Sequence, residues 1–299
     1  MSDQERPRAT RSDQDRKAEA PMEPVEANTP RSLPRGVLHV LAPNPSLMTG
    51  PGTNSFIVTS AIGGCAVIDP GPDIATHLDA LADLAAAHGG AQAILITHGH
   101  PDHMEGAAGL RERTGAPILA WSREGVPVAD QTLQDEEALE LGERVLRVVY
   151  TPGHRFDHVC FLLEDAHALF AGDLVAGVGT VVIAPPEGDL LDYMASLRRL
   201  LALDLSVILP AHGPEIADPR ALLAQYLAHR EERERQVLEV LASGPATIPN
   251  LVARIYTDVD PQLHPVAALS VEAHLLKLER EGRVAREGEN AAEAIWRVS

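Results

Sequence analysis

The sequence predicts an α/β fold in which two β-sheets pack face to face and helices cover their outer surfaces. The chain has 299 residues, 45% of them hydrophobic, which is enough for one large domain and a small one. Many short apolar runs have the length and the β-branched content of buried strands. Helical patterns separate some of these runs without a regular strand–helix–strand repeat, so a sheet sandwich is favoured over a simple parallel sheet.

Strands are predicted where apolar, often β-branched residues lie between turn residues. The predicted strands comprise residues 37–41, 54–58, 65–68, 93–96, 117–121, 145–150, 159–163, 168–171 and 206–209. Helices are predicted where leucines recur at helical spacing, as in 74–88, which Gly89-Gly90 ends. The other predicted helices comprise residues 105–114, 190–203, 218–243, 247–256 and 265–281, followed by a hairpin of 284–286 and 294–298.

The chain divides into three parts by composition. Residues 1–34 are rich in Arg, Asp, Gln, Glu and Pro and contain hardly a bulky apolar residue, so we predict a disordered tail. Residues 35–217 carry the predicted sandwich. Residues 218–299 carry three helices and a hairpin, a pattern typical of a small winged-helix-like domain. The charged run 229–235 in its long first helix is predicted to be a solvent-exposed face.

Charge and hydrophobicity exclude several classes of protein. The net charge is −18, from 43 acidic and 25 basic residues, and so acidic a chain is poorly suited to following a long phosphate backbone. No apolar run approaches the roughly 20 residues of a membrane span, so we expect no membrane association and a cytoplasmic location. Cys65 and Cys160 lie in separate apolar segments and are predicted to be buried thiols.

A histidine-rich motif follows the predicted strand 93–96. It places His98, His100, Asp102 and His103 within six residues, where the strand ends and a loop begins. Neutral imidazole and carboxylate groups suit divalent zinc, and also manganese or iron. In a loop these four side chains can converge without the fixed spacing of a helix. The motif therefore predicts a metal site at the edge of a sheet.

Three further candidate ligands occur in the same setting. His154, Asp173 and His212 each follow a predicted apolar strand within a few residues. The ends of such strands can gather at one edge of a sandwich. One histidine in a loop would be weak evidence, but seven candidate ligands in similar settings predict a metal centre.

The order of these motifs resembles the metallo-β-lactamase-fold hydrolase superfamily. Asp69 at the end of an upstream strand and the settings Thr151-Pro152-Gly153-His154 and Gly172-Asp173 also fit, and the resemblance covers residues 36–299. It implies a four-layer αββα fold with two divalent metal ions. The implied ligands are His98, His100 and His154 for one ion and Asp102, His103 and His212 for the other, with Asp173 as a bridge.

A closer resemblance is to the beta-lactamase-like protein 2 group, whose animal member is a mitochondrial endoribonuclease. It extends from the loop before the second strand to the C-terminal helices. It depends on Asn44-Pro45, Met48-Thr49, Gly52-Thr53-Asn54, Asp192-Tyr193-Met194 and Leu275-Leu276-Lys277-Leu278-Glu279. This resemblance implies cleavage of RNA.

The expected cofactors are two divalent ions, with zinc as the first expectation and manganese or iron as alternatives. Two cations about 3.5–4 Å apart lower the pKa of a shared water and stabilise the oxyanion that forms, so the expected nucleophile is a metal-bridging hydroxide. Asp102 is the expected catalytic residue, because its carboxylate could also orient that hydroxide. Asp69 and His158 are expected to fix ligand tautomers by hydrogen bonds. For His158 the alternative is a polar residue that caps the strand 159–163.

Three functions fit these motifs. The first is a phosphodiesterase or endoribonuclease that acts on short single-stranded RNA, as the group resemblance implies. The alternative is a hydrolase of a thioester, a lactone or another small ester, like glyoxalase II, with the same metal ligands. The third, a metal-dependent module whose winged helix contacts DNA, is disfavoured, so we expect no specific DNA binding. The predicted recognition helix is more acidic than basic: Glu272, Glu279 and Glu281 accompany Lys277 and Arg280.

Arg155 departs from the superfamily pattern, in which this loop commonly has small or hydroxyl-bearing residues. Two interpretations stay open for its side chain. Arg155 biases the site toward an anionic substrate, or it forms an ion pair with Asp157 or another acidic residue at the surface.

Overall fold

The computed structural model describes residues 26–299, and two β-sheets form its centre. The first sheet has the spatial order β1 to β7: Arg31–Leu33, Val37–Leu41, Asn54–Thr59, Cys65–Ile68, Ala91–Leu95, Ile118–Ala120 and Gln131–Thr132. The second has the order β12, β11, β10, β9 and β8, which are Val207–Pro210, Ala168–Gly172, Val159–Leu163, Arg144–Tyr150 and Ala138–Leu141. A separate hairpin pairs β13 (Val284–Glu287) with β14 (Ile295–Val298).

Seven α-helices complete the part of the chain that the structure describes. They are α1 (Ala75–Ala87), α2 (Pro101–Met104), α3 (Ala107–Thr114), α4 (Leu190–Leu201), α5 (Pro219–Ala242), α6 (Ile248–Ile255) and α7 (His264–Arg280). Among residues 26–299, none of the helices combines the length and the apolar character that a membrane crossing requires.

Apolar side chains from both sheets meet in the space between them. Phe56 of the first sheet and Phe170 of the second have ring centroids 5.3 Å apart, and both are buried. On the outer faces, α1 and α3 cover the first sheet, while α4 and the start of α5 cover the second. The layers therefore run helix, sheet, sheet, helix, as predicted, because each sheet needs apolar cover on both faces.

The C-terminal part has its own core around Trp296, which is fully buried. The long helix α5 belongs to two cores at once. Its first half buries Leu223 and Tyr226 against the second sheet and α4, and its second half buries Val237 and Leu241 against α6 and α7. A division at residues 217 and 218 remains our proposal, and it assigns the whole shared helix to the C-terminal domain.

The predicted tail is wrong for residues 26–34, while residues 1–25 lie outside the described part. Arg31–Leu33 pairs antiparallel with β2, and Leu33 packs against the core between the sheets. The Asn28 side chain hydrogen-bonds Nδ1 of buried His77, at 2.9 Å. Strand pairing, rather than a hydrophobic pattern, orders this segment, so composition alone did not indicate it.

We expect removal of this first strand to destabilise the fold. A chain that begins at residue 36 loses the β1 pairing, the packing of Leu33 and the partner of His77, which stabilise by about 2 kcal/mol together. Its midpoint of thermal unfolding should be roughly 2–4 °C below that of a chain that begins at residue 26. Asn28→Ala isolates the contribution of the His77 contact. Equal midpoints for the two truncated chains would contradict a structural role for β1.

The prediction of an exposed face for residues 229–235 is wrong at two positions. Arg235 is exposed and pairs within the helix with Glu232 and Glu239, as expected. Arg230 is only 2% exposed, and Glu234 is buried against Lys277 of α7. Both lie on the stripe of α5 that faces the rest of the molecule, so their helical position outweighed their charge.

Candidate metal centre

Four strand ends at one edge of the sandwich carry the candidate ligands. The loop after β5 carries His98, and the loop after β9 carries His154. Asp173 directly follows β11, and His212 closely follows β12. The structure brings all seven predicted ligands into two adjacent groups. Within the second sheet this convergence follows from the topology, because β9, β11 and β12 run in the same direction and their carboxyl ends lie at the same edge.

Part of the histidine motif is helical rather than a loop. Pro101–Met104 forms one helical turn, with extended His100 at its N-cap position and Pro101 at the first position. Proline is pre-organised for this place in a helix. Consequently His98 and His100 extend from the loop, whereas Asp102 and His103 extend from the helical turn toward the second group.

The first group contains His98, His100, His154 and Asp173. Nδ1 of His100 lies 2.8 Å from Nε2 of His98 and 3.2 Å from Nε2 of His154. One potential ligand atom from each of the four side chains falls within 4.8 Å of all the others. Three imidazole nitrogens and a carboxylate therefore converge on one point.

The second group contains Asp102, His103 and His212. Oδ2 of Asp102 lies 3.2 Å from Nε2 of His212 and 3.6 Å from Nε2 of His103. Asp102 is the more exposed of the two carboxylates in the centre. Its side chain therefore faces both the second group and the solvent.

Asp173 lies between the two groups and directs a different oxygen toward each. Its Oδ1 lies 3.4 Å from Nε2 of His212 and 3.6 Å from Nε2 of His103. Its Oδ2 lies 3.6 Å from Nε2 of His154 and 4.0 Å from Nε2 of His98. This is the geometry of a carboxylate that can bind two cations at once.

Hydrogen bonds on the far side of the rings determine which nitrogen carries a proton. Nδ1 of His154 donates to the carbonyl of Val182 at 3.0 Å, and Nδ1 of His212 donates to the carbonyl of Gly52 at 3.3 Å. Each ring therefore directs the lone pair of Nε2 into the centre. Such outer hydrogen bonds orient ligands and raise their basicity.

Asp69 and Thr97 orient the rings of His98 and His103 in the same way, by accepting hydrogen bonds from Nδ1. Asp69 accepts hydrogen bonds from Nδ1 of His103 at 2.9 Å, from the Thr97 hydroxyl at 2.7 Å and from the Thr97 amide at 2.8 Å. Because the Thr97 hydroxyl donates to Asp69, it accepts from Nδ1 of His98 at 3.1 Å. The sequence indicated Asp69 but missed Thr97, although Thr97 directly precedes the histidine motif.

His158 hydrogen-bonds the backbone of Asp173 rather than a ligand histidine. Its Nε2 accepts from the Asp173 amide at 3.1 Å, and its Nδ1 donates to the Thr151 hydroxyl at 2.9 Å. Burial lowers the pKa of His158 to about 3, so the ring stays neutral. Gly172 leaves room for this contact, since a Cβ there would lie 2.6 Å from Nε2 of His158. His158 therefore fixes the backbone that bears Asp173, a role that differs from the tautomer control expected for it.

Arg155 forms ion pairs with two carboxylates. Its Nε donates to Asp157 at 2.8 Å, and its terminal nitrogen pairs with Glu187. Asp157 in turn accepts from the amide of Gly99 at 2.9 Å. The structure therefore agrees with the ion-pair interpretation of Arg155. Through Asp157, which binds the Gly99 amide, Arg155 also stabilises the loop between His98 and His100.

The electrostatics of the first group favour neutral rings. Burial lowers the pKa of His98 well below the ordinary histidine value, and the neighbouring His103 lowers it further. Burial also lowers the pKa of His100, to about 4, with His154 contributing in the same direction. Burial lowers the pKa of His154, although Asp173 opposes this change. Neutral imidazoles have the free lone pair that a metal requires.

The environment of His103 favours positive charge. Burial lowers the pKa of His103, but the carboxylates of Asp173 and Asp69 outweigh it, so the pKa lies well above the ordinary histidine value. Burial raises the pKa of Asp173, yet His103 and His212 outweigh it and hold the pKa well below the usual range. A divalent cation would supply the positive charge and replace the proton on His103.

A divalent metal ion fits the residues present. Nε2 of His103 is buried and, within the described residues, has no hydrogen-bond partner, although it points at Asp102 and Asp173. A buried polar atom without a partner costs about 1–3 kcal/mol, and coordination would remove that cost. The donor set of imidazoles and carboxylates suits zinc, with manganese and iron as alternatives.

Fold and site together define a metal-binding hydrolase of the αββα class, and the comparisons with known proteins agree. The Metallo-beta-lactamase superfamily profile matches residues 48–212, and the Beta-lactamase associated winged helix domain profile matches residues 247–296. The chain therefore belongs to the metallo-beta-lactamase superfamily, whose members are metal-dependent hydrolases.

Several relatives match most of the chain. "Lactamase-like protein adaB" of Aspergillus niger is 32% identical, covering 88% of this chain and 88% of its own. "Beta-lactamase-like protein 2 homolog" of Drosophila melanogaster is 32% identical over 84% of this chain and 90% of its own. "Atrochrysone carboxyl ACP thioesterase" of Aspergillus fumigatus is 33% identical over 74% of this chain and 73% of its own.

Solved structures are also similar over nearly their whole length, as one example shows. It is the crystal structure of a metallo-beta-lactamase family protein from Thermus thermophilus, with a TM-score of 0.73 and 25% identity, covering 88% of this chain and 99% of that chain. Together with the two matched domains, this similarity confirms the predicted fold class and its winged helix.

Proposed function

We propose that this protein is a dinuclear metal-dependent hydrolase in which the two groups of ligands each hold one divalent ion, with zinc as the expected metal. The position of Asp173 carries this proposal, because its two oxygens face different groups. Ions bound there would lower the pKa of a water molecule and stabilise the negative charge that develops in hydrolysis.

Asp102 is the residue that we propose as the catalytic carboxylate. Burial raises the pKa of Asp102, but the hydrogen bond from His212 and the charge of His103 outweigh it and hold the pKa below the ordinary aspartate value. An ionised carboxylate accepts a hydrogen bond from the attacking water and orients it. The partial exposure of Asp102 leaves it accessible to substrate and solvent.

The loops around the centre favour an ester or thioester with an apolar part. Four large apolar side chains are exposed in loops that carry or contact His154 and His212. They are Leu47, Met48, Phe156 and Val178. The nearby cation, Arg155, is already paired with two carboxylates. We therefore propose a thioester or another small ester as the substrate class, and the thioesterase among the relatives supports this choice.

RNA cleavage is the second candidate function. The resemblance to the beta-lactamase-like protein 2 group implies it, and the Drosophila relative, which matches 84% of this chain, is named a homolog of that protein. Within the described residues, however, α7 does not present a free basic face. His274 and Lys277 of α7 are buried, and Arg280 pairs with Asp189, which directly precedes α4. The acidic chain also lacks the charge that a long RNA requires.

A four-substrate panel separates these functions. The substrates are an acyl thioester, a lactone, bis-p-nitrophenyl phosphate and a short single-stranded RNA, each assayed after loading with zinc and with manganese. We expect the thioester to give the highest kcat/KM and a zinc stoichiometry of two per chain. Turnover of RNA above that of the thioester would reverse our order of the two functions. Failure to bind two metal ions would contradict the dinuclear centre.

A further inference from the structure

Arg230 of α5 is a buried cation with an unusual set of partners. Its side chain is 2% exposed, and among residues 26–299 no carboxylate forms an ion pair with it. One terminal nitrogen donates a hydrogen bond to the carbonyl of Val181, and the guanidinium lies over the ring of Tyr193, 5.2 Å from its centroid. A buried charge is costly without compensation, so these contacts require an explanation.

The contact with Val181 leads directly to a candidate metal ligand. Val182, the next residue, accepts the hydrogen bond from Nδ1 of His154 at 3.0 Å. The carbonyl that Arg230 binds belongs to the peptide group that joins Val181 to Val182. Because a peptide group is planar, a hydrogen bond to the Val181 carbonyl also holds the nitrogen and the Cα of Val182. Only the two backbone torsions of Val182 then separate this held peptide group from the carbonyl that accepts from His154.

The same helix holds this loop at other points. Tyr226, one helical turn before Arg230, accepts from the amide of Ala176 at 3.1 Å and donates to the carbonyl of Gly179 at 3.1 Å. The loop between β11 and α4 contains no strand or helix, so its backbone depends on such contacts. Hence α5 fixes the loop that begins at Asp173 and passes behind His154.

We propose that Arg230 is a positioning residue for His154. Through this residue, the long helix α5 of the C-terminal part adjusts the affinity of the first group for a metal ion. This inference depends on the ligand role that we propose for His154. It assigns Arg230 a purpose that its burial alone does not explain: a charged donor binds a carbonyl more strongly than a neutral one does. It also gives the winged-helix part a function in the centre without contact to the reacting atoms.

Two variants of the full-length chain test the proposal, with one matched control. Arg230→Met keeps an apolar, unbranched side chain over Tyr193 but removes the donor. Arg230→Lys keeps a charged donor. Arg235→Met is the control on the same helix, because Arg235 is exposed and its ion pairs lie within the helix. Metal affinity is measured by competition with a chelator, and the cobalt(II)-loaded protein supplies a visible spectrum that reports ligand geometry.

We expect Arg230→Met to lower the affinity for one of the two metal ions about 10-fold and to leave the affinity for the other unchanged. A loss of about 10-fold is the lower end of the effect of removing an outer hydrogen bond. Arg230→Lys should restore most of the affinity, and Arg235→Met should match the wild type. In a His154→Ala background, Arg230→Met should cause no further loss of metal affinity. The cobalt spectrum of Arg230→Met should change in the bands that His154→Ala also changes.

Two outcomes would overturn the proposal. Unchanged metal affinity in Arg230→Met would show that Val181 does not need the guanidinium. An equal loss of affinity for both ions that persists in the His154→Ala background would show that Arg230 acts only through the general stability of the fold. These results differ from a failure of the proposed function, in which the wild-type chain itself would not bind two ions.

Discussion

Asp173→Asn should lower kcat/KM on the order of 10³-fold, which corresponds to losing several kcal/mol of transition-state stabilisation. The amide is nearly the same size as the carboxylate, but it is neutral and offers a single oxygen. That oxygen cannot face both His154 and His212, as the carboxylate oxygens do. The metal content should fall from two ions to one or fewer, whereas the far-ultraviolet circular dichroism spectrum should stay unchanged, because the side chain lies in a loop at the sheet edge.

Metal analysis, kinetics with the thioester and circular dichroism check this prediction together. Asp204→Asn is the matched control, since the Asp204 side chain is 94% exposed and precedes β12, whereas His212 follows the opposite end of that strand. That control should keep two ions and full turnover. Two full equivalents of metal in Asp173→Asn would contradict the bridging role, and unchanged turnover would exclude Asp173 from the centre.

The candidate ligands could be predicted because their side chains, which the sequence shows directly, are the groups that bind metal ions. Few residue types bind divalent metals, and each candidate follows a recognisable strand. The outer hydrogen bonds were harder to predict for a physical reason. His154 and His212 are oriented by the carbonyls of Val182 and Gly52, and any residue type supplies a carbonyl. Only the folded chain shows which carbonyl is in reach.

The burial of Arg230 and Glu234 could have been predicted from spacing, although composition pointed the other way. The buried face of α5 follows the helical period through Leu223, Tyr226, Arg230, Glu234, Val237 and Leu241. Extending the apolar stripe through the charged run would have placed both residues inside. Their partners could not be predicted, because Val181 and Lys277 are distant in the sequence and meet α5 only in the folded molecule.

The last prediction concerns Asp69, which accepts three hydrogen bonds in a buried position. Asp69→Ala leaves the amide and hydroxyl of Thr97 and Nδ1 of His103 without an acceptor, and each loss costs about 1–3 kcal/mol. We therefore expect the free energy of unfolding to fall by roughly 4 kcal/mol, measured with urea on the metal-free protein. Exposed Asp73, on the same loop, supplies the control Asp73→Ala, which should stay within about 0.5 kcal/mol of the wild type.

The same substitution should also weaken metal binding in the second group. Without Asp69, the ring of His103 loses the contact that directs Nε2 toward Asp102 and Asp173, and losses of this kind weaken binding about 10–100-fold. Chelator competition should show this effect even at temperatures where Asp69→Ala remains fully folded. A variant that is destabilised but binds both ions as tightly as the wild type would restrict Asp69 to a purely structural role. Weaker binding at unchanged stability would mean that the Thr97 donors find another acceptor, so Asp69 would act on the metal centre alone.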